Sequence, residues 1–145
     1  MLQSPSSFLP VIALAPQLHD RVLDMAAAPG GKTSYICQLL ANTGQVVAND
    51  IKLERITALQ YNLFRLGATN AMVVNYDGKE LCEVFQNQKF DRVLLDAPCT
   101  GMGIIARDPS IKMKKGRAEV EDHSELQKEL LLSAIDCAKK GGHVV

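Results

Sequence analysis

With 145 residues, 15.8 kDa and 16 Lys+Arg against 16 Asp+Glu, the chain has the length of one ordinary domain and no formal net charge at neutral pH. Apolar residues make up 47% of it, enough for a core without disulfide or metal staples, which excludes global disorder. The balance of charge argues against a binder that relies on a large basic excess, although a local patch can still hold a phosphate backbone.

Residues 1–20 read as a lead-in, and 21–145 as the core of a single, partial domain. Short apolar runs then alternate with segments of helical period, the signature of an α/β fold with a mostly parallel sheet and helices on both faces. Arg21–Ala28 reads as a buried strand and Lys32–Leu40 as a helix closed by the Asn42-Thr43-Gly44 turn. Gln45–Asp50 is a second strand. Leu53, Ile56, Leu59, Leu63 and Leu66 recur at steps of three or four, one face of a helix that ends at Gly67. Ala71–Tyr76 is a third strand, and Phe90–Asp96 a fourth that stops short of Pro98. A polar connection, Thr100–Asp122, leads to a helix from about His123 to Lys139 with a broad apolar stripe of Leu126, Leu130, Leu131, Ala134, Ile135 and Ala138. Gly141-Gly142 is expected to stop it, and His143 to open a fifth strand. Val145 falls inside that strand, so the sequence reads as a piece of a longer domain lacking its last strands. By analogy, strand order 3-2-1-4-5 leaves the fifth strand at an edge, exposed to aggregation.

The cysteines, Cys37, Cys82, Cys99 and Cys137, lie 45, 17 and 38 residues apart, with no CxxC pair and no Cys/His cluster suited to zinc. They read as free thiols in a reducing compartment, with Cys37 and Cys137 packed inert within helices. The longest apolar run near the start, Phe8–Ala15, is broken by Pro10 and is far shorter than a membrane span. His19, His123 and His143 form no constellation with Cys99 and read as surface or packing residues.

Ala28-Pro29-Gly30-Gly31-Lys32-Thr33 sits between a strand and a helix, where an open α/β sheet binds its ligand. Glycines let backbone approach a cofactor, and free N–H groups at a helix start attract a carboxylate or phosphate. Asp50, 20 residues past Gly30 at the end of strand two, can accept both hydroxyls of a ribose. Gly31-Lys32-Thr33 with a later Val93-Leu-Leu-Asp96 mimics a P-loop and its acid, but Ala26 stands where that loop needs glycine. A GxGxxG dinucleotide fingerprint is absent too. S-adenosyl-L-methionine, with a ribose and no phosphate, fits better, with Ala26, Ala27, Ala28, Pro29, Gly30, Gly31 and Lys32 around its methionine end, Asp50 on the ribose and Asp77 near the adenine. A nucleotide hydrolase and a catalytically silent binding module stay open beside it. Asp96 and Cys99, at the mouth of the same cleft, can both reach a ligand, and Cys99 lies in a loop exposed enough to react. Between 107 and 117, Arg107, Lys112, Lys114, Lys115 and Arg117 stand against one acid, Asp108, a run that can steer phosphate and can equally be a solvated face, which the resemblance below turns toward RNA.

Asp24-Met-Ala-Ala-Ala-Pro-Gly-Gly-Lys-Thr33, Ala48-Asn-Asp50, Tyr76-Asp-Gly78 and Arg92-Val-Leu-Leu-Asp-Ala-Pro-Cys-Thr-Gly101, in this order, closely resemble the Sun/Fmu-type RNA 5-methylcytosine methyltransferases. Leu2-Gln3, Ser6-Ser7 and Leu9-Pro10 are similar to the segment before that family's first strand. Leu126–Asp136 resembles the nucleolar protein 2 branch, which modifies large-subunit ribosomal RNA. The resemblance covers nearly the whole chain. It implies a Rossmann-like, S-adenosyl-L-methionine-dependent fold, an RNA partner, no metal, and a nuclear, nucleolar location. It also implies chemistry in which a thiolate adds to C6 of cytosine so that C5 becomes nucleophilic. In the family the attacking cysteine lies in a Thr-Cys motif after the fifth strand, while the Pro-Cys cysteine, matching Cys99, assists product release. Asp96 matches the acid beside the base. No Thr-Cys pair occurs before Val145, so the piece itself is expected to bind the cofactor without turnover.

Overall fold

The computed structural model describes residues 7–86, 88–99 and 117–145, the last stretch with side chains from residue 122 on. Five parallel strands, β1 (Arg21–Asp24), β2 (Gln45–Asn49), β3 (Ala71–Val74), β4 (Phe90–Leu94) and β5 (Ala138–Val144), form one sheet in the order β3-β2-β1-β4-β5. Side chains alternate across a sheet, so neighbouring residues in each strand enter different cores. Leu23, Val47 and Val93 join Leu130, Ala134 and Cys137 on one face, and Val22, Val46 and Leu94 join Ile36 and Leu40 on the other. Helices therefore cover both faces, as the α/β reading requires. The first face carries α4 (Leu81–Val84) and α5 (Arg117–Cys137), and the second α1 (Leu9–Leu14), α2 (Gly31–Leu39) and α3 (Leu53–Arg65).

The lead-in is more structured than its sequence suggests. Val11 and Leu14 of α1 are fully buried against β1 and β4, so this helix belongs to the core. Burying two such side chains contributes several kcal/mol, at roughly 1.5–3 kcal/mol each. Pro10 sits in the first turn of α1, where a missing N–H costs nothing.

Strands end earlier than their apolar runs because the backbone finds other partners. After Asp24 the Met25 N–H donates to the Leu94 carbonyl, whereas the Ala27 N–H donates to that of Asn49 on the opposite side, and the chain turns. Beyond Val74, the Tyr76 N–H leaves the ladder for the Asn49 side chain.

Two helical faces also differ from expectation. In α3, Leu59 and Leu63 are buried but Leu53 is 68% exposed, so the apolar face begins one turn late. In α5 the buried line is Leu130, Ala134 and Cys137 with Leu126 packed beside it, whereas Leu131 and Ile135 point outward. The broad stripe is thus a narrow one. The helix starts at Arg117, inside the stretch read as a connection, and ends at Cys137, ahead of the glycine pair. Ala138 already pairs with Phe90, and the register then jumps to His143 opposite Arg92. Lys139 to Gly142 bulge out against Asp91. Gly141 has φ +79°, and a Cβ on Gly142 would lie 3.0 Å from the Asp91 carbonyl oxygen. The glycines permit the bulge instead of stopping the helix.

Candidate functional site

The loops after β1, β2, β3 and β4 meet at the carboxyl edge of the sheet around a cleft of about 500 Å³. That volume suits a small-molecule ligand. Met25, Ala26 and Ala28 line it from the first loop, Asp50, Ile51, Lys52 and Arg55 from the second crossing, and Gly78 from the third. Asp96, Ala97, Pro98 and Cys99 come from the fourth, and Leu126 and Leu130 of α5 close the remaining side.

The first loop is held from below by α3. Gly30 has φ +97°, a left-handed conformation, and a Cβ there would lie 2.9 Å from Leu59 Cδ1. Asn62 donates to the Pro29 carbonyl at 2.9 Å, and the Arg55 guanidinium donates to that of Ala28. The Ala28–Pro29 peptide is cis. Gly31 opens α2, whose first N–H groups point outward from this edge.

Asp50, only 2% exposed, accepts the Ala28 N–H at 3.1 Å through Oδ2 and the Lys52 N–H at 3.0 Å through Oδ1, with Arg55 3.3 Å from Oδ2. A carboxylate has about four acceptor positions, so capacity remains toward the cleft. Asn49, fully buried, donates through Nδ2 to the Met25 and Tyr76 carbonyls at 3.1 Å each and accepts the Tyr76 N–H at 2.9 Å. This one amide ties the carboxyl ends of β1, β2 and β3 together. Asp77 turns its Oδ1 to the Lys79 N–H at 3.0 Å and caps a short 3₁₀ turn, Gly78–Glu80.

On the other rim, Lys32 reaches across to Asp96 at 2.7 Å. Asp96 is 56% exposed, so this pair orients more than it stabilises. Cys99 is an exposed free thiol, and Gln127 of α5 donates to the Pro98 carbonyl beside it at 2.9 Å. Burial pushes the Cys37 thiol up to about 12 and the Cys137 thiol up to about 11, which leaves both inert. Cys82 lies 3.3 Å from the Lys89 ammonium, away from the cleft.

Of the sequence-predicted residues, Ala26, Ala28, Asp50, Asp96 and Cys99 line one cleft. Ala27, Pro29, Gly30, Gly31, Lys32 and Asp77 flank it without forming its wall. Arg107, Lys112, Lys114 and Lys115 lie outside the described residues, as does the side chain of Arg117. Among the described residues, no group of three His, Cys, Asp or Glu could hold a metal.

Residues 11–145 match the family described as 16S rRNA methyltransferase RsmB/F. The chain belongs to that family. It is 53% identical, over 149 aligned residues, to the 28S rRNA (cytosine-C(5))-methyltransferase of Mus musculus, an alignment spanning 100% of this chain and 18% of the mouse protein. It is 51% identical to the 25S rRNA (cytosine-C(5))-methyltransferase nop2 of Schizosaccharomyces pombe, across 100% of this chain and 24% of the yeast protein. Among solved structures, NSun6 from Pyrococcus horikoshii with SFG superposes with a TM-score of 0.89 at 34% identity, covering 98% of this chain and 36% of that one. The chain thus spans about a fifth to a quarter of the length of these curated relatives.

Sequence reading of this RsmB/F-family chain missed Arg55, Asn49 and Asp24 as parts of the site. Arg55 was detectable in principle, because a helix that starts at Leu53 puts its first turn at the same sheet edge as Asp50. Asn49 and Asp24 lie within motifs that carry the family resemblance, but neither has a site role legible there. Their roles follow from burial.

Asp24 ends β1 at 1% exposure. Burial pushes its carboxyl up to about 6, against the pull of the Thr33 hydroxyl, which donates to Oδ2 at 2.7 Å. The folded state therefore holds this proton more tightly than the unfolded chain does. The resulting stability is full below pH about 4 and lost as pH rises through about 6, a change of about 3 kcal/mol. Urea denaturation at pH 4.5 and 7 should show this slope, and Asp24→Asn should flatten it. An unchanged slope in the variant would assign it elsewhere.

Proposed function

We propose that this chain is the donor-binding part of an S-adenosyl-L-methionine-dependent methyltransferase that acts on C5 of cytosine in RNA, specifically large-subunit ribosomal RNA in the nucleolus. The observation that carries the reading is a buried carboxylate, Asp50, with acceptor capacity facing a cleft walled by a glycine-bearing first turn. The 53% identity to a 28S rRNA (cytosine-C(5))-methyltransferase supports the choice of reaction and RNA.

The residues fit the donor. Asp50 accepts the ribose hydroxyls, the Ala26–Lys32 backbone and the start of α2 receive the methionine end, and Asp77 serves the adenine side. When bound, the donor supplies an electrophilic methyl group on a sulfonium. Asp96, oriented by Lys32, hydrogen-bonds the polar edge of the flipped cytosine. Cys99, exposed on the cleft wall, assists product release. The basic run from Arg107 through Lys112, Lys114 and Lys115 to Arg117 contacts the RNA backbone.

Calorimetric titration tests the reading. Saturable binding of S-adenosyl-L-methionine, with no magnesium-dependent binding of ATP, is expected. ATP binding that needs magnesium, with none for the methyl donor, would favour a nucleotide hydrolase.

A further inference from the structure

Asp24 stands apart from the other carboxylates among the described residues. Its Oδ1 is buried and has no hydrogen-bond partner among the described residues, while Oδ2 holds the Thr33 hydroxyl. A buried lone pair without a donor is costly and calls for an explanation. In the sheet its neighbours are Ala48 on β2 and Leu94 on β4, neither of which can serve it. From α2 it faces the Thr33 hydroxyl at 2.7 Å, and the titratable groups that act on it through space are Lys32 and Cys37 of α2 and Asp96 beyond β4. Lys32 and Asp96 pair with each other at 2.7 Å and act on Asp24 in opposite directions, Asp96 raising its carboxyl and Lys32 lowering it.

Its position along the cleft is informative. Thr33, which donates to its Oδ2 at 2.7 Å, directly follows Lys32, whose ammonium holds Asp96 on the rim assigned to the base. Met25 and Ala26, which directly follow it in the chain, are part of the cleft wall. Asp24 thus lies just behind the wall at the end where a methyl group would be transferred.

We propose that Asp24 reads the charge of the donor: it gives up its proton to solvent when a sulfonium occupies the cleft, and so makes the site prefer S-adenosyl-L-methionine over its demethylated product. The inference rests on the reading of the cleft as an S-adenosyl-L-methionine site. Donor and product share their ribose, adenine and amino-acid groups and differ by one methyl and one positive charge. A nearby cation stabilises a carboxylate, and does so more strongly across a dry wall than through water. Because burial holds the free carboxyl near 6, it is partly protonated in the pH range where the protein is handled, and binding of the cation shifts that equilibrium. By linkage, donor affinity must rise with pH through that window, by up to about tenfold for each unit by which the donor lowers the carboxyl. The neutral thioether product lacks this gain.

The test is calorimetric titration of the 145-residue chain with S-adenosyl-L-methionine and with S-adenosyl-L-homocysteine at pH 6, in phosphate and in a buffer of higher ionisation heat. Release of up to about half a proton per donor is expected, with distinctly less for the product. The donor-to-product affinity ratio should rise several-fold from pH 5 to 7.5. Asp24→Asn should abolish both effects, and Thr33→Val, which removes the bond favouring the ionised form, should move the inflection to higher pH. If Asp24→Asn does not fold, the wild-type buffer comparison and Thr33→Val decide alone. Saturable binding with no proton release, or equal release with donor and product, overturns the proposal and leaves the site reading intact. No saturable binding of either compound overturns the site reading, and the proposal with it.

Discussion

Asp50→Ala is expected to weaken S-adenosyl-L-methionine binding by about a hundredfold or more and to lower stability by roughly 3 kcal/mol. The binding loss follows from two hydroxyl bonds to a charged acceptor, each worth about 1.5–3 kcal/mol. The stability loss has a different origin. Alanine leaves the Ala28 N–H without its carboxylate in a buried turn and frees the Lys52 N–H that starts the way into α3. The ion pair with Arg55 adds little, because that side chain is 44% exposed and keeps its bond to the Ala28 carbonyl. Asp50→Asn keeps the shape and an acceptor while losing the charge, so it should fall between wild type and alanine. Titration and urea denaturation read the two effects separately. Donor affinity in Asp50→Ala within a factor of three of wild type would rule out a ribose role for this residue.

Asn49→Asp should be the most destabilising isosteric change in the chain, by about 3–5 kcal/mol near neutral pH, or about 10 °C in melting temperature. The substitution keeps the acceptor for Tyr76 N–H but turns an oxygen toward the Met25 and Tyr76 carbonyls, where two donors stood. If the new carboxyl ionises, it buries a charge against two negative dipoles. If it stays protonated, it can satisfy one carbonyl. The deficit should therefore shrink as pH falls toward 5. Melting curves at pH 5 and 8 check both size and direction, and a loss below 1 kcal/mol at pH 8 would contradict the clamp.

The first four strands were readable because each is a short run rich in apolar residues between turn residues, and the two-residue alternation of Val22 with Leu23 and of Val46 with Val47 sends one member to each face, whereas β5, Ala138–Val144, has no such run and only its end was legible. Helix α1 was not, since six residues interrupted by a proline offer too little periodicity, and only the burial of Val11 and Leu14 reveals its place. The glycine pair misled for a related reason. Gly141 and Gly142 resemble a helix stop, but a positive φ serves a strand bulge equally well, and which use applies depends on Asp91 in a distant strand. At the site, Ala26, Asp50, Asp96 and Cys99 were legible in loops at strand ends, and all four line the cleft. Asn49 and Asp24 were not, because a buried polar residue gains its role from partners 20 or more residues away or, for Oδ1 of Asp24, from having none.

Helix α5 touches both rims. Ser133 donates to the Gly78 carbonyl at 2.7 Å, Gln127 donates to that of Pro98 at 2.9 Å, and Leu126 and Leu130 lie between them. Gly78 itself has no room for a side chain, since a Cβ would come within 2.7 Å of Leu130 Cδ2. One helix thus ties the loop after β3 to the loop after β4 across a single cleft. Any displacement of that helix therefore moves both loops together and cannot open one side of the cleft alone.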